Sequence, residues 1–111
     1  MPKRDADLLL EDIRSALARI GRYTSGMQRE EFLVDEKTMD AVVRNLEIIG
    51  EAVRWLPDDL KLQHVGVSWG PIAGLRNRIV HDYFGLDLEI IWQILQTPLR
   101  DFRQQLDEMK G

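Results

Sequence analysis

Residues 35–56, with the sequence DEKTMDAVVRNLEIIGEAVRWL, decide the fold class of this chain. Their apolar residues recur at steps of three and four positions, which is the spacing of one face of an α-helix. The residues on this stripe are Met39, Val42, Leu46, Ile49, Val53 and Leu56. The pattern predicts a helix that starts near Asp35, ends at Leu56 just before Pro57, and packs its apolar face into a core.

Segments on either side carry the same helical spacing. A first helix is predicted from Asp5 or Asp7 to about Thr24, with Gly26 as its stop and residues 28–31 as a polar connection. Its buried stripe comprises Leu9 or Leu10, Ile13, Leu17 and Ile20. Residues 57–67 are predicted as a mixed connection with room for one helical turn.

Three more helices are predicted in the second half. Ser68 can cap a third helix that stops at Gly85, and its inner face comprises Ile72, Leu75, Ile79 and Tyr83. A fourth helix, residues 88–96, can be capped by Asp87, and a fifth opens at 97–98. The apolar stripe of the fifth comprises Leu99, Phe102, Leu106 and Met109. The sequence therefore predicts an all-α, antiparallel four- to five-helix bundle, folded as a single domain over residues 1–111.

Composition excludes several classes of protein. The chain has 111 residues, a formal charge of −4, no cysteine and two histidines. These counts argue against disulfide frameworks, thiolate metal sites and histidine-rich zinc sites, and they fit a reducing cytoplasm. No apolar run has the length of a membrane span or a signal-peptide core. The negative charge argues against non-specific nucleic-acid binding, and no DNA partner is expected, although a local basic cleft stays possible.

The fourth predicted helix carries more apolar side chains than one face can hold. Its apolar residues are Leu88, Ile90, Ile91, Trp92, Ile94 and Leu95. A helix that is apolar all round is usually buried in a core or a subunit interface. We therefore expect a homodimer, with the third and fourth helices near its interface.

Chemistry-bearing residues concentrate in residues 74–87, GLRNRIVHDYFGLD. Arg76 offers a fork of donors that matches phosphate oxygens, and His81 can exchange a proton near neutral pH. Asn77 can orient a reacting group, and Tyr83 presents a hydroxyl. Five positions separate Arg76 from His81, which leaves about 140° between them on a regular helix. Either the helix unwinds near His81 or a second protomer completes the site, and we favour the second explanation.

The segment from Arg76 to Tyr83 matches R-N-x-x-x-H-x-Y and so resembles the signature of HepT-like proteins in the HEPN superfamily. The flanking segments 44–52, 69–75 and 83–87 are similar to the same family. The resemblance implies a dimeric, metal-independent endoribonuclease that needs no cofactor, with Arg76 and His81 catalytic and Asn77 supporting. It also implies a type VII toxin whose MntA-type nucleotidyltransferase antitoxin silences it by transferring AMP groups to Tyr83.

Two other functions fit the same residues. The chain could be a non-catalytic subunit that holds nucleotide or substrate for a nucleotidyltransferase, with Arg76 and His81 binding phosphate only. It could also be a purely structural helical protein, since an arginine on a solvated helix face and a histidine near a helix end are common. The structural alternative predicts that Arg76, His81 and Tyr83 do not line an accessible groove.

Overall fold

A computed structural model describes the backbone of residues 5–84 and 88–109, and the side chains of residues 5–79 and 88–109. Within these ranges the chain forms helices and no strand, which confirms the all-α prediction. The helices are α1 (Ala6–Thr24), α2 (Arg29–Val34), α3 (Glu36–Trp55), α4 (Asp58–Gln63), α5 (Trp69–Ala73), α6 (Leu75–Phe84), α7 (Leu88–Gln96) and α8 (Pro98–Glu108). None of them combines the length and the hydrophobicity needed to span a bilayer.

Helices α1 and α3 form the central antiparallel pair. Their contact is the most extensive between any two of these helices. The Nε atom of Arg19 donates a hydrogen bond to Oδ1 of Asn45 at 2.7 Å, while Leu9 lies opposite Trp55 at the other end of the pair. All six residues of the predicted α3 stripe are buried, from Met39 to Leu56. The sequence stretch that decides the fold class is therefore the core helix of the bundle.

Aspartates cap the N-terminal ends of α1 and α3, and for α1 the sequence predicts this cap at Asp5 or Asp7. The Asp5 carboxylate accepts a hydrogen bond from the Asp7 N–H at 2.7 Å, and the Asp35 carboxylate accepts one from the Thr38 N–H at 3.0 Å. Both carboxylates thus cap N–H groups that no helical carbonyl can reach. Gly26 follows α1 with a φ of 76°, a conformation that favours glycine.

The predicted polar connection at residues 28–31 is wrong, because a short helix, α2, begins there. The Glu31 side chain accepts a hydrogen bond from the Gln28 N–H at 2.7 Å, which stabilises the first turn. Phe32 on the next turn is fully buried and lies 5.4 Å, centroid to centroid, from the ring of Trp92. The mixed connection after α3 does contain a short helix, α4.

The predicted third helix is interrupted. Its first residues form α5, Gly74 ends that helix, and α6 begins at Leu75. Ser68 occupies the N-cap position, but its side chain makes no capping hydrogen bond. The predicted inner face is confirmed for Ile72, Leu75 and Ile79, which are all buried. The predictions for the Tyr83 side chain, the Gly85 stop and the Asp87 cap lie outside the described residues.

Helix α7 buries more of its apolar surface within one chain than the sequence suggests. Ile91, Ile94 and Leu95 are buried, while Leu88, Ile90 and Trp92 are half-buried against the same core. Helix α7 therefore leaves less apolar surface exposed than the sequence predicts. The homodimer remains a prediction.

Candidate functional site

Helix α6 carries all four residues of the R-N-x-x-x-H-x-Y segment on one α-helical backbone. Arg76 and Asn77 lie in its first turn, and both side chains are exposed. The positions of His81 and Tyr83 also lie on α6, and their side chains are outside the described residues. Because the backbone stays helical through Phe84, the unwinding near His81 that we considered does not occur. The observed break, at Gly74, precedes the segment.

Buried apolar residues fix α6 against the bundle. Leu75 and Ile79 are each 2% exposed, and Ile72 just before the break is 1% exposed. They lie in the same core as α3. Burial of such side chains stabilises the fold by about 1.5–3 kcal/mol each, so α6 has a firmly held inner face.

Gly50 allows α3 to approach the α5–α6 junction closely. A Cβ atom at this position would lie 3.3 Å from the carbonyl oxygen of Ile72 and 3.6 Å from the backbone nitrogen of Arg76. These neighbours are backbone atoms, which cannot rotate away as a side chain can. The absence of a side chain at Gly50 thus brings Arg76 next to Glu51, the following residue of α3.

Glu51 links Arg76 to an exposed tryptophan. Nη1 of Arg76 lies 3.8 Å from Oε2 of Glu51, and Nε1 of Trp55 donates a hydrogen bond to Oε1 of the same carboxylate at 2.8 Å. The Arg76 side chain keeps 54% of its surface exposed and that of Glu51 45%. An ion pair this exposed is worth about 0–1 kcal/mol. A phosphate group can therefore replace Glu51 as the partner of Arg76.

Arg76 lies at the edge of a groove of about 460 Å³ between α1, α3 and α6. We call this the Arg76 groove. Its apolar lining comprises Leu9, Ile48, Ala52 and Trp55, and its charged lining comprises Asp12, Arg44, Glu47, Glu51 and Arg76. Arg76 therefore lies at an accessible location, as the catalytic interpretation predicts, while the groove's relation to the side chains of His81 and Tyr83 lies outside the described residues. The groove offers two guanidinium groups and an aromatic ring to a ligand, beside three carboxylates.

No local pattern in the sequence indicates a role for Glu51, Trp55 or Arg44. Glu51 and Trp55 are four positions apart on α3, so their hydrogen bond follows from helical spacing. Their proximity to Arg76 depends on the packing of α6 on α3, for which no local pattern in the sequence is a signal. The other histidine, His64, is half-buried in a connection, and its carbonyl accepts a hydrogen bond from Nε1 of Trp69 at 3.0 Å.

Comparison with known proteins identifies similar chains over nearly the whole length. The family model described as Ribonuclease HepT-like matches residues 13–109. The protein named "Putative RNase MJ0127" of Methanocaldococcus jannaschii is 40% identical over 109 residues, which cover 98% of this chain and 90% of that protein. "Probable ribonuclease HepT" of Thermococcus cleftensis is 35% identical over 108 residues, covering 97% and 98%.

A shorter match is also found. The "mRNA nuclease HepT" of Shewanella oneidensis is 45% identical over 40 residues, which cover 36% of this chain and 30% of that protein. No solved structure matches the chain.

Proposed function

We propose that Arg76 and His81 are the catalytic pair of this chain, which belongs to the HepT-like ribonuclease family and is an endoribonuclease. The observation that carries this proposal is the location of Arg76, which is exposed at the edge of an open groove and forms, among the described residues, an exposed ion pair with Glu51 that a phosphate can replace. Asn77, exposed in the same helical turn, is the supporting residue.

The reaction needs only groups that this chain and its substrate possess. The 2′-hydroxyl of RNA is the nucleophile, and it attacks the adjacent phosphorus while the bond to the 5′-oxygen breaks. His81 can move a proton in this reaction, a contribution of about 10²–10⁴ in rate. Arg76 stabilises the negative charge that develops on the phosphoryl oxygens. Cleavage of this kind requires no metal ion.

A second protomer completes the site in this proposal. On a straight α6, the five-residue spacing directs positions 76 and 81 about 140° apart. One phosphate is therefore reached most simply by Arg76 of one chain and His81 of another, held together in a homodimer.

The same proposal assigns a toxin role. An MntA-type nucleotidyltransferase is the antitoxin, and Tyr83 is the residue to which it transfers AMP. An AMP group at this position adds a phosphodiester to the helix that carries Arg76, which would occupy the guanidinium and repel RNA. The family resemblance of the R-N-x-x-x-H-x-Y segment supports this assignment. Relatives named as ribonucleases favour cleavage of RNA by this chain over the non-catalytic alternative.

Cleavage of RNA by the purified chain tests the catalytic pair. Arg76→Ala and His81→Ala should each lower the rate by about 10²–10⁴, while circular dichroism shows an unchanged helical content. Arg54→Ala is the matched control, because Arg54 is exposed on α3 and does not line the Arg76 groove. The wild-type rate should survive EDTA. Wild-type cleavage by either variant contradicts the assignment, and loss of activity with EDTA contradicts the metal-free mechanism.

A further inference from the structure

A second cavity lies at the opposite end of α1 from the Arg76 groove. It has a volume of about 460 Å³ and is lined by residues of α1, α7 and α8 and by the connection that precedes α2. Gly21, on its wall, is nine residues along α1 from Asp12 of the Arg76 groove, or about 14 Å of helix. We call this second cavity the Arg100 cavity. Its size falls within the range of about 300–1,000 Å³ typical of small-molecule sites.

The Arg100 cavity is positively charged in an otherwise acidic chain. Arg100 and Arg103 line it, and none of the described lining residues is an aspartate or glutamate. They are three positions apart on α8, so they share one helix face. Arg100 donates a hydrogen bond to Oε1 of Gln96 at 3.1 Å. In the part of the chain that the structure describes, neither guanidinium forms an ion pair with a carboxylate.

Neighbouring residues position these cations. Nη1 of Arg103 lies 3.5 Å from the place that a Cβ atom would occupy at Gly21, so the side chain lies directly over α1. Both arginines are exposed, and the fork of donors that each presents matches the oxygens of a phosphate. Two such forks without a carboxylate partner, in a chain of formal charge −4, indicate an anion site.

The rest of the lining is aromatic and apolar. Trp92 is half-buried, packs against Phe32 and also lines the cavity. Leu17, Ile20, Met27, Leu95 and Leu99 supply apolar surface, and Gln28 and Gln96 supply amides. Inorganic phosphate alone would leave this surface without a partner. A flat aromatic group would cover it, since base–aromatic stacking contributes about 1–3 kcal/mol.

We infer that the Arg100 cavity binds a nucleoside monophosphate unit, with the phosphate on Arg100 and Arg103 and the base against Trp92. The unit is either a free mononucleotide or one nucleotide of an RNA strand, since both present the same chemistry. The inference rests on the composition of the cavity and not on the proposed catalytic pair.

Isothermal titration of the full chain with adenosine monophosphate and guanosine monophosphate tests this inference. Neither ligand contains a phosphodiester bond, so binding is measured independently of cleavage. Arg100→Gln combined with Arg103→Gln should weaken binding by at least about tenfold, because charge-assisted hydrogen bonds are lost. Arg14→Gln combined with Arg54→Gln removes the same charge from exposed residues outside the cavity, and should change binding by less than about twofold.

Two further measurements test whether the base contacts Trp92: titration with inorganic phosphate, and titration of the Trp92→Leu variant. The wild-type chain should bind either mononucleotide more tightly than inorganic phosphate, and Trp92→Leu should remove this preference. If a decaribonucleotide displaces the mononucleotide, the cavity binds a nucleotide of an RNA strand. If it does not, the ligand is the free mononucleotide. The inference is overturned if no saturable binding occurs, if inorganic phosphate binds as tightly, or if the control pair weakens binding equally.

Discussion

Glu51 and Arg76 face each other at the Arg76 groove, with Oε2 and Nη1 3.8 Å apart. The other carboxylate oxygen accepts the hydrogen bond from Trp55. Among the described residues, the guanidinium thus forms its ion pair with a glutamate of the chain itself, held in place by an indole. A phosphate that reaches Arg76 must compete with this carboxylate, so at the proposed site we expect Glu51 to weaken RNA binding.

Glu51→Gln is expected to strengthen RNA binding by about two- to fivefold, because the ion pair it removes is worth about 0–1 kcal/mol. A glutamine can still accept the Trp55 hydrogen bond, so the change is mainly one of charge. The dissociation constant is measured in the His81→Ala background, where RNA stays intact. Glu108→Gln, an equal change of charge on α8, should have little effect. Weaker binding by Glu51→Gln would show that the carboxylate orients Arg76 more than it competes with phosphate.

Gly50 and Gly21 provide a matched pair for the contact between α3 and the α5–α6 junction. Both lie inside long helices, so alanine brings a similar gain in helix propensity, about 0.5–1 kcal/mol. A Cβ atom at Gly21 meets only the end of the Arg103 side chain, at an ordinary 3.5 Å, whereas at Gly50 it meets the Ile72 carbonyl at 3.3 Å. We expect Gly50→Ala to be less stable than Gly21→Ala by about 1–3 kcal/mol, the usual cost of overpacking. Urea unfolding measures this difference, and equal stabilities would contradict the close approach.

Tyr83→Phe should leave RNA cleavage near the wild-type rate, because the proposed mechanism does not use the phenolic hydroxyl. It should also abolish AMP transfer by the cognate nucleotidyltransferase, since phenylalanine has no oxygen to accept the group. Intact-mass spectrometry after incubation with the partner and ATP measures the modification. Tyr23→Phe is the control, because Tyr23 is an exposed tyrosine on α1. AMP found on the Tyr83→Phe chain would refute the assignment of the modified residue.

The Asp35 cap makes the stability of α3 depend on pH. The Thr38 backbone N–H, and then the Thr38 hydroxyl, hold the pKa of this carboxyl below its ordinary value. A lowered folded-state pKa stabilises the fold fully above the unfolded pKa of about 3.9, and this contribution is lost as pH falls through the folded-state value. Asp35→Ala should therefore lower the Tm at pH 7, with a difference that shrinks in acid. Asp107→Ala, an exposed aspartate on α8, is the control, and a difference independent of pH would contradict the role of the charge.

Local patterns in the sequence account for most of the helices. The α3 stripe from Met39 to Leu56 is buried as predicted, and the caps at Asp5 and Asp35 form as their side chains allow. Helix α2 was missed because the polar residues from Gln28 to Glu31 resemble a connection. In fact Glu31 accepts a hydrogen bond from the Gln28 N–H and starts a helix.

The environment of Arg76 could not be predicted in this way. The sequence predicts that Arg76 can bind phosphate from an exposed position on a helix. It does not predict the ion pair with Glu51, which lies 25 positions earlier. That contact depends on Gly50 bringing two backbones together and on the break at Gly74. Both are consequences of packing between helices, for which neither helical periodicity nor capping chemistry is a guide. The side chains of His81 and Tyr83 lie outside the described residues, so their roles remain predictions.

The hydrogen bond between Arg19 and Asn45 fixes the axial register of α1 against α3. Asn45, 5% exposed, is the one buried polar side chain of the described residues, and its amide also donates to the Ala41 carbonyl at 2.8 Å. A slide of one turn, about 5.4 Å, would remove Arg19 and leave the buried Oδ1 unsatisfied, a penalty of about 1–3 kcal/mol. The same slide would carry Leu9 and Asp12 away from Glu51 and dismantle the Arg76 groove. One amide thus selects the alignment of the two helices in which the Arg76 groove exists.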